Sequence, residues 1–315
     1  MQIRTLGATS LRIAPLVLGG NVFGWTADKA TSFAILDAFL DAGFNAIDTA
    51  DVYNRFAPGL QGGESETIIG DWMKDRGVRN RVVLITKGGL EMGPGRVGLG
   101  RDYLQRACDA SLERLQTDYV DVYMSHRADP RVPIEETLET FRLLLDAGKT
   151  RYAGCSNYTA EETSAAIAAA SAGRARYEVA EPHYNLIERG QYEGSLENIC
   201  VAHGIGVIVY YGLAGGFLTG KYRSKESIAG SARSRTLSRY VNSSGLKLLD
   251  SLDIVAERHS ATPAQVALAW LMARPSVTAP ICSATSPQQL SEILKSVNLE
   301  LTAEDFALLA PLPCT

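Results

Sequence analysis

The 315-residue sequence predicts a (β/α)8 TIM barrel, because short apolar runs alternate with amphipathic helical patterns along almost its whole length. No low-complexity linker interrupts this alternation, so we expect a single domain over residues 1–315. A doubly wound sheet is the alternative, but it would normally carry a GxGxxG pattern after its first strand. The sequence LGGN at residues 18–21 is not followed by that pattern.

The eight predicted strands are short β-type runs, each bounded by helical patterns or turns. They lie near residues 15–19, 45–48, 82–86, 119–124, 151–155, 177–181, 206–210 and 278–282. The helices between them are predicted near residues 28–42, 64–75, 101–115, 133–147, 159–171 and 190–203. In the third of these helices one face carries Leu104, Cys108, Leu112 and Leu115, which is the spacing of a half-buried helix.

Two helices are predicted between the seventh and eighth strands, near residues 244–259 and from Thr262. Thr262 and Ser286 are each followed by Pro and, three residues on, by Gln, which is the signature of a capped helix start. A tail helix from Thr302 is expected to pack outside the barrel. The fold therefore includes two extra helices, and an N-terminal β-hairpin turning at Gly7 is expected to cap the bottom of the barrel.

Composition and charge argue against a nucleic-acid-binding, membrane-spanning or secreted protein. A net charge of −4 argues against a dominant nucleic-acid footprint, and no apolar stretch approaches the ~18 residues that a membrane span requires. The N-terminus lacks the basic-then-apolar layout of a signal peptide. Five cysteines without CxxC spacing favour a reduced, cytoplasmic protein with no metal site, whether monomer or homo-oligomer.

Four chemically distinct side chains follow consecutive predicted strands: Asp48, Tyr53, Lys87 and His126. In a barrel the carboxyl ends of the strands face the active site. Alone, each residue is most simply a turn former, a rim residue or a core histidine. Together they predict a site that delivers a proton to a carbonyl oxygen, with Tyr53 as the general acid in reduction and the base in oxidation.

The charges of the four side chains indicate the role that each would have in proton transfer. An ammonium at about 4 Å favours the phenolate by about 4 kcal/mol at an effective dielectric near 20, so Lys87 is expected to lower the pKa of Tyr53. Asp48 would keep Lys87 protonated and hold its ammonium toward the Tyr53 hydroxyl. His126 would donate a hydrogen bond to the substrate oxygen.

Five segments in order resemble the signature of the aldo-keto reductase superfamily, in particular the bacterial branch related to potassium-channel beta subunits. They are IDTADVY at 47–53, ITKG at 85–88, MSH at 124–126, GKTRYAGCSN at 148–157 and GGFLTGKY at 215–222. The resemblance spans roughly residues 2–310. It implies a hydride transfer between a nicotinamide cofactor and an aldehyde or ketone, acting on small molecules rather than on a nucleic acid or a membrane.

The same resemblance implies how the nicotinamide is held. Ser156 and Asn157 should hydrogen-bond the carboxamide, and Tyr210 should stack under the ring; a plain turn and helix cap is the alternative for the first two. The family usually places Gln where this chain has Glu181. An ionised Glu181 cannot donate a hydrogen bond, and Glu181→Gln would then tighten cofactor binding at neutral pH; alternatively, burial keeps the carboxyl protonated.

The rest of the cofactor is expected along a glycine-rich stretch and at the last helix. Glycines at residues 213–218 let the backbone approach a pyrophosphate, and the basic segment 221–239 either folds over the cofactor or is a solvated loop. NADP(H) is favoured, helped by the basic segment. The adenosine end, however, offers hydroxyls in place of the usual cation, so use of NAD(H) as well remains an alternative. The residues assigned here are Gly20, Asn21, Leu213, Gly215, Phe217, Lys221, Arg233, Ser283, Thr285, Gln289 and Glu292.

The substrate pocket is expected to include Trp25, Phe56, Arg127 and Tyr211. Arg127 follows the catalytic histidine, at a position that is often aromatic in the family. If its side chain points inward, a carboxylate- or hydroxyl-bearing substrate is favoured; the outward orientation of a surface residue is the preferred expectation.

Two other functions remain open. One is a cofactor-binding sensor or regulatory subunit on the same fold with little turnover. The other is an unrelated barrel enzyme that acts on a phosphorylated substrate at the loops after strands seven and eight. The complete set of four strand-end residues favours the reductase.

Overall fold

Eight parallel strands form a closed barrel in the computed structural model, which describes residues 1–170, 173–231 and 233–310. Each strand pairs with the next along the chain, and the last closes the barrel by pairing Ile281 with Val17 and Cys282 with Leu18. The (β/α)8 barrel prediction is confirmed. The barrel strands are β3 (Val17–Gly19), β4 (Ala46–Asp48), β5 (Val83–Gly88), β6 (Val120–Ser125), β7 (Thr150–Ser156), β8 (Tyr177–Glu181), β9 (Gly206–Val209) and β10 (Ala279–Cys282).

Helices surround the barrel in the predicted order. The alternating helices are α1 (Lys29–Asp41), α2 (Glu64–Arg76), α3 (Arg101–Leu115), α4 (Ile134–Asp146), α5 (Ala160–Ala169), α6 (Ser195–Ala202), α9 (Pro263–Met272) and α10 (Pro287–Leu294). The additional ones are α7 (Ser234–Leu237), α8 (Ser243–Arg258) and α11 (Ala303–Leu308), with 3-10 turns at Arg79–Arg81, Ala214–Thr219 and Lys295–Asn298. Within the described residues, every helix is too short or too polar to cross a bilayer.

Three differences from the sequence prediction concern the start of α6 and two short helical segments. Residues 190–194, predicted as helix, form a turn, and α6 starts only after Gly194, whose φ of +90° is incompatible with helix. The predicted end of the fifth helix at residue 171 lies outside the described residues. The one-turn helix α7 and the 3-10 segment Ala214–Thr219 were not predicted, because neither has an amphipathic period long enough to detect.

A short antiparallel hairpin closes the N-terminal end of the barrel, as predicted. Its strands are β1 (Arg4–Thr5) and β2 (Arg12–Ile13). Gly7 adopts a φ of +58°, and a Cβ there would lie 2.2 Å from the Gly206 nitrogen. Leu6 is fully buried, so the hairpin acts as an apolar plug held against the start of β9.

Two apolar layers make up the core. The outer layer lies between strands and helices and includes Trp72, Phe141 and Trp270. The inner layer fills the barrel with side chains from alternate strand positions, as the two-residue period of a strand requires; its members are Val17, Ala46, Val83, Ile85, Val122, Met124, Val179, Ile208, Ala279 and Ile281, with Leu6, Leu11 and Ile13 of the hairpin. Lys87 interrupts the apolar pattern of the inner layer, because its side chain is charged and yet fully buried.

The contact between hairpin and barrel yields a stability prediction. A Cβ at Gly206 would lie 2.6 Å from the Gly7 nitrogen and 2.7 Å from the Leu6 carbonyl carbon. Gly206→Ala should therefore lower the free energy of unfolding by about 1–3 kcal/mol, measured by urea denaturation. Gly190→Ala is the control, since a Cβ there meets nothing within 4 Å, and it should stay within about 0.5 kcal/mol of wild type. Equal stability of the two variants would contradict the proposed contact.

Candidate active site

The carboxyl ends of the barrel strands open into a cavity of about 520 Å³. A second cavity of about 470 Å³ adjoins it and shares Arg127 and Asn157 in its wall. Most of the sequence-predicted site residues line the larger cavity: Asn21, Trp25, Asp48, Tyr53, His126, Arg127, Ser156, Asn157, Glu181, Tyr210, Tyr211, Leu213, Gly215, Lys221, Arg233, Ser283, Thr285 and Gln289.

Lys87 is the centre of the predicted catalytic group. It lies near the end of β5 and its side chain is completely buried behind the cavity wall. Its ammonium donates hydrogen bonds to Asp48 Oδ1 at 2.5 Å, to the Thr49 carbonyl oxygen at 3.0 Å and to the Tyr53 hydroxyl at 3.0 Å. An ammonium has three N–H donors, so these contacts use all of them. The neighbouring strands β4 and β5 thus bring three of the four predicted residues into direct contact.

Tyr53 differs from the expectation in its protonation. Its hydroxyl donates to Asp48 Oδ2 at 3.0 Å and accepts from Lys87. Burial and the charge of Asp48 raise the pKa of the phenol well above its usual value, although Lys87 acts in the opposite direction. The expected lowering of the Tyr53 pKa by Lys87 is therefore outweighed in the free protein, first by burial of the phenol and then by the charge of Asp48. Tyr53 is a neutral phenol.

His126 completes the group from the end of β6. Its ring packs edge-on against Tyr53, with ring centroids 6.0 Å apart, and it lines the cavity. Burial lowers the pKa of the imidazole well below its usual value, and the charges of Lys87 and Arg127 act in the same direction. His126 is therefore neutral, and its buried Nδ1 has no hydrogen-bond partner among the described residues.

Glu181 ends β8 beside the same ammonium. Its Oε2 lies 3.3 Å from Lys87 Nζ, and the residue is only 3% exposed. No hydrogen bond reaches this oxygen within the described residues, because the ammonium protons point to other acceptors. Burial and the charge of Asp48 raise the pKa of the Glu181 carboxyl well above its usual value, and Lys87 offsets this only in part.

The residues predicted to hold the carboxamide are joined by hydrogen bonds. Ser156 Oγ donates to the Glu181 carbonyl oxygen at 3.1 Å. Asn157 Nδ2 donates to the His126 carbonyl oxygen and to Ser156 Oγ, both at 3.0 Å. Tyr210 donates to Asn157 Oδ1 at 2.6 Å. Asn157 has a φ of +57°, a backbone conformation that orients its amide toward this network.

A narrow arm of the cavity leads from these residues to the last helix. Gly215 and Gly216 have φ values of +68° and +100°, which other residues rarely adopt, so both positions favour glycine. Arg233 Nη1 lies 3.5 Å from the Gly215 carbonyl oxygen, and Lys221 sits 4.8 Å above the Tyr222 ring. The arm therefore carries two cationic side chains beside an exposed stretch of backbone.

The far end of the arm has hydroxyl and amide groups. Ser283 Oγ lies 2.5 Å from Asn21 Oδ1, which joins the ends of β10 and β3. The Thr285 nitrogen and hydroxyl both donate to Gln289 Oε1, at 2.7 and 3.0 Å. Ser286 caps α10 by accepting from the Gln289 nitrogen. Gln289 thus has the capping role that the sequence suggested, and it also lines the cavity.

A protein-family model for the aldo/keto reductase family matches residues 15–312 of this chain. The chain belongs to the aldo/keto reductase family. It is 35% identical to an uncharacterized oxidoreductase of Bacillus subtilis, YrpG, over 98% of this chain and 95% of that protein. It is also 34% identical to a probable voltage-gated potassium channel subunit beta of rice, over 95% and 92% of the two chains.

A third relative is an L-glyceraldehyde 3-phosphate reductase of Escherichia coli O157:H7, with 30% identity over 98% of this chain and 91% of that protein. The relatives thus include both bacterial oxidoreductases and channel-subunit-like proteins, which confirms the branch suggested by the sequence. The family and these relatives identify the protein as an oxidoreductase of the class that reduces carbonyl groups.

Some predicted site residues of this aldo/keto reductase lie away from the cavity. Phe56 is 69% exposed and meets the site only through its edge contact with the Trp25 ring, at 5.1 Å between centroids. Phe217 is fully buried against Tyr240, and Glu292 pairs with Lys295 at 2.6 Å. Gly20 also does not line the cavity. Its nitrogen donates a hydrogen bond to the Asp48 carbonyl oxygen at 2.7 Å.

Several cavity residues were missed from the sequence, although Thr219 and Tyr222 belong to the GGFLTGKY segment. Barrel closure brings them together from loops and, for Ile281 and Cys282, from β10; the set is Val22, Thr26, Leu90, Thr219, Tyr222, Ser231, Ile281 and Cys282. Tyr211 was predicted to line the pocket, but its backbone conformation was not. Its φ of +65° is unusual for a bulky residue and is visible only in the structure.

Removing the buried ammonium should destabilise the fold in a pH-dependent way. Lys87→Met leaves Asp48 as a buried carboxylate without its cation, which should cost about 3–5 kcal/mol at neutral pH. Without the cation the folded state favours the protonated form of this carboxyl, so the stability of the variant should improve as the pH falls. Urea denaturation from about pH 5 to about pH 8 measures both effects.

The control for this experiment is Lys149→Met. Lys149 forms an exposed ion pair with Asp109, so its loss should change the free energy of unfolding by less than about 1 kcal/mol. A cost for Lys87→Met that does not depend on pH would mean that the Asp48 carboxylate is not the cause.

Proposed function

We propose that this protein transfers a hydride between NADP(H) and an aldehyde or ketone, with Tyr53 as the general acid and base. The observation that carries the proposal is the position of the Tyr53 hydroxyl. It lines the cavity while lying 3.0 Å from both Lys87 Nζ and Asp48 Oδ2. Once its O–H turns from Asp48 toward the cavity, a phenol in that position can release a proton to the substrate while its oxygen stays bound to a cation.

In the reductive direction Tyr53 starts as a neutral phenol and protonates the carbonyl oxygen. As the proton leaves, negative charge develops on an oxygen that already accepts a hydrogen bond from Lys87, so the phenolate is stabilised where it forms. Asp48 keeps Lys87 protonated. Neutral His126 can donate its ring N–H to the carbonyl oxygen and orient it. A bound nicotinamide supplies the hydride.

The cavity fits a dinucleotide. Its arm offers backbone at Leu213, Gly215 and Gly216, and the cations Lys221 and Arg233 suit phosphate groups. Ser156, Asn157 and Glu181 would hold the carboxamide, and Tyr210 would lie against the ring. NADP(H) is the proposed cofactor on the strength of these cations. NAD(H) is the alternative, because the far end offers Ser283, Thr285 and Gln289 rather than a cationic side chain.

A cytoplasmic location and a single-domain chain acting on small molecules complete the proposal. The cysteines among the described residues, Cys108, Cys155, Cys200 and Cys282, are buried and unpaired, which fits a reducing compartment. Cys314 lies outside the described residues.

A regulatory subunit with little turnover is the second candidate, because some relatives are named as potassium channel subunits. The experiment that separates the two is a screen of NADPH- and NADH-linked turnover over aldehydes, ketones, sugars and hydroxysteroids. Multiple turnovers with a simple aldehyde support the reductase. Tight cofactor binding with no more than one turnover on every substrate supports the regulatory subunit.

The role of Tyr53 yields a kinetic prediction. Tyr53→Phe removes the acid but keeps the ring, so kcat should fall by about 10²- to 10⁴-fold while the cofactor dissociation constant stays within about twofold. Steady-state kinetics and tryptophan fluorescence quenching measure the two quantities. Tyr103→Phe is the matched control, since Tyr103 lies outside the cavity and should keep wild-type kcat. Wild-type turnover in Tyr53→Phe would rule out the mechanism.

Arg127 yields a prediction about substrate preference. It is exposed but lines the cavity, and it has neither a salt bridge nor a hydrogen bond within the described part of the chain. A charged hydrogen bond contributes about 1.5–3 kcal/mol, so Arg127→Met should raise KM at least about tenfold for 4-carboxybenzaldehyde. KM for benzaldehyde should change little. Arg106→Met, on the exposed surface of α3, is the control, and equal effects on both aldehydes would exclude a carboxylate contact.

A further inference from the structure

Glu181 places a second buried carboxyl beside a single ammonium. Asp48 and Glu181 lie 2.5 and 3.3 Å from Lys87 Nζ, and both are at most 3% exposed. Asp48 receives hydrogen bonds from Lys87 and from the Tyr53 hydroxyl, whereas Glu181 Oε2 receives none within the described residues. Asp48 is thus the ionised partner of the ammonium, and a second full negative charge on Glu181 would be buried with its Oε2 unpaired.

Within the described part of the chain, Lys87 is the cation that acts on the Glu181 carboxyl. The titratable groups around its carboxyl come from several elements: Asp48 of β4, Tyr53 of the loop after it, Lys87 of β5, Cys155 of β7 and Tyr210 after β9. Among these groups Lys87 alone is positive, and it is already neutralised by Asp48. The arrangement therefore favours a proton on Glu181.

The hydrogen-bond donors of its neighbours are already used. The Ser156 hydroxyl donates to the Glu181 carbonyl oxygen, and both Asn157 amide hydrogens point to His126 O and Ser156 Oγ. Without rearrangement neither side chain has a donor left for an entering carbonyl oxygen. A protonated Glu181 has one O–H, which would turn from the neighbouring Asp48 carboxylate to reach the carboxamide oxygen, whereas an ionised Glu181 has no donor.

We propose that Glu181 binds the nicotinamide carboxamide as a neutral carboxylic acid, donating its proton to the carboxamide oxygen. The inference rests on the proposed use of a nicotinamide cofactor. It predicts that the cofactor binds the protonated protein, so that ionisation of Glu181 weakens binding at high pH. It also explains how a glutamate can occupy this position at neutral pH.

The experiment measures NADPH binding by tryptophan fluorescence quenching from about pH 7 to about pH 10, a range in which the 2′-phosphate no longer titrates. The wild-type dissociation constant should rise at the alkaline end, by at most about tenfold per pH unit, because one proton is linked to binding. Glu181→Gln cannot ionise, so its dissociation constant should match that of the wild type at neutral pH and lie below it at alkaline pH. Glu178→Gln, at an outward position of the same strand, should follow the wild type.

Infrared difference spectroscopy of the cofactor-free protein provides an independent readout. The wild type should show the carbonyl stretch of a protonated carboxyl at neutral pH, and Glu181→Gln should lose it. Burial and the charge of Glu66 raise the pKa of Asp51 to about 8, so Asp51 contributes a second such band. The Glu181 band is therefore assigned by its loss in Glu181→Gln and its retention in Glu178→Gln.

The possible results separate this inference from the proposed function. NADPH binding with the same pH dependence in wild type and Glu181→Gln, or no infrared band lost in that variant, overturns the inference and leaves the cofactor proposal intact. Absence of NADPH binding by the wild type at every pH overturns both. If Glu181→Gln does not fold, wild-type binding that is independent of pH overturns the inference.

Discussion

The buried ammonium of Lys87 is the interaction on which the site depends. A barrel interior is otherwise filled with apolar side chains, and an isolated charge there would be strongly destabilising. The cost is offset because the ends of β4 and β5 are paired, with Asp48 opposite Ile85, which brings a carboxylate and a backbone carbonyl to the ammonium. Tyr53 then supplies the third acceptor. The same contacts that make the buried charge tolerable also place the phenol at the cavity wall.

Strand alternation explains how β5 supports this arrangement. Lys87 points into the barrel, so the preceding Thr86 points out toward the helices, where its hydroxyl donates to Glu66 Oε1 at 2.6 Å. Arg114 of α3 donates to the other oxygen of Glu66 at 2.7 Å. The strand that carries the Lys87 ammonium is therefore fixed from outside by the Glu66–Arg114 ion pair, while its inner side faces the site.

Three acidic groups share the single cation Lys87, and this sharing affects which of them is ionised. Asp48, Glu181 and the Tyr53 phenol all lie near Lys87, and each would be stabilised by it as an anion. Only Asp48 has the geometry to be ionised, so the other two keep their protons. Under the proposed function this outcome leaves Tyr53 as the acid that reduction of a carbonyl requires, and under the further inference it leaves Glu181 with a proton to donate.

The sequence by itself determined the barrel, its element order, the hairpin and the four strand-end residues, because hydrophobic period, caps and strand ends are local properties. Only the tertiary structure decided the protonation of Tyr53 and Glu181, since burial and the sharing of Lys87 depend on strands that are distant along the chain. It also decided that Phe56 and Phe217 lie outside the cavity and that Arg127 lines it. Loop side chains and charges respond to neighbours that barrel closure supplies, and no local pattern in the sequence encodes them.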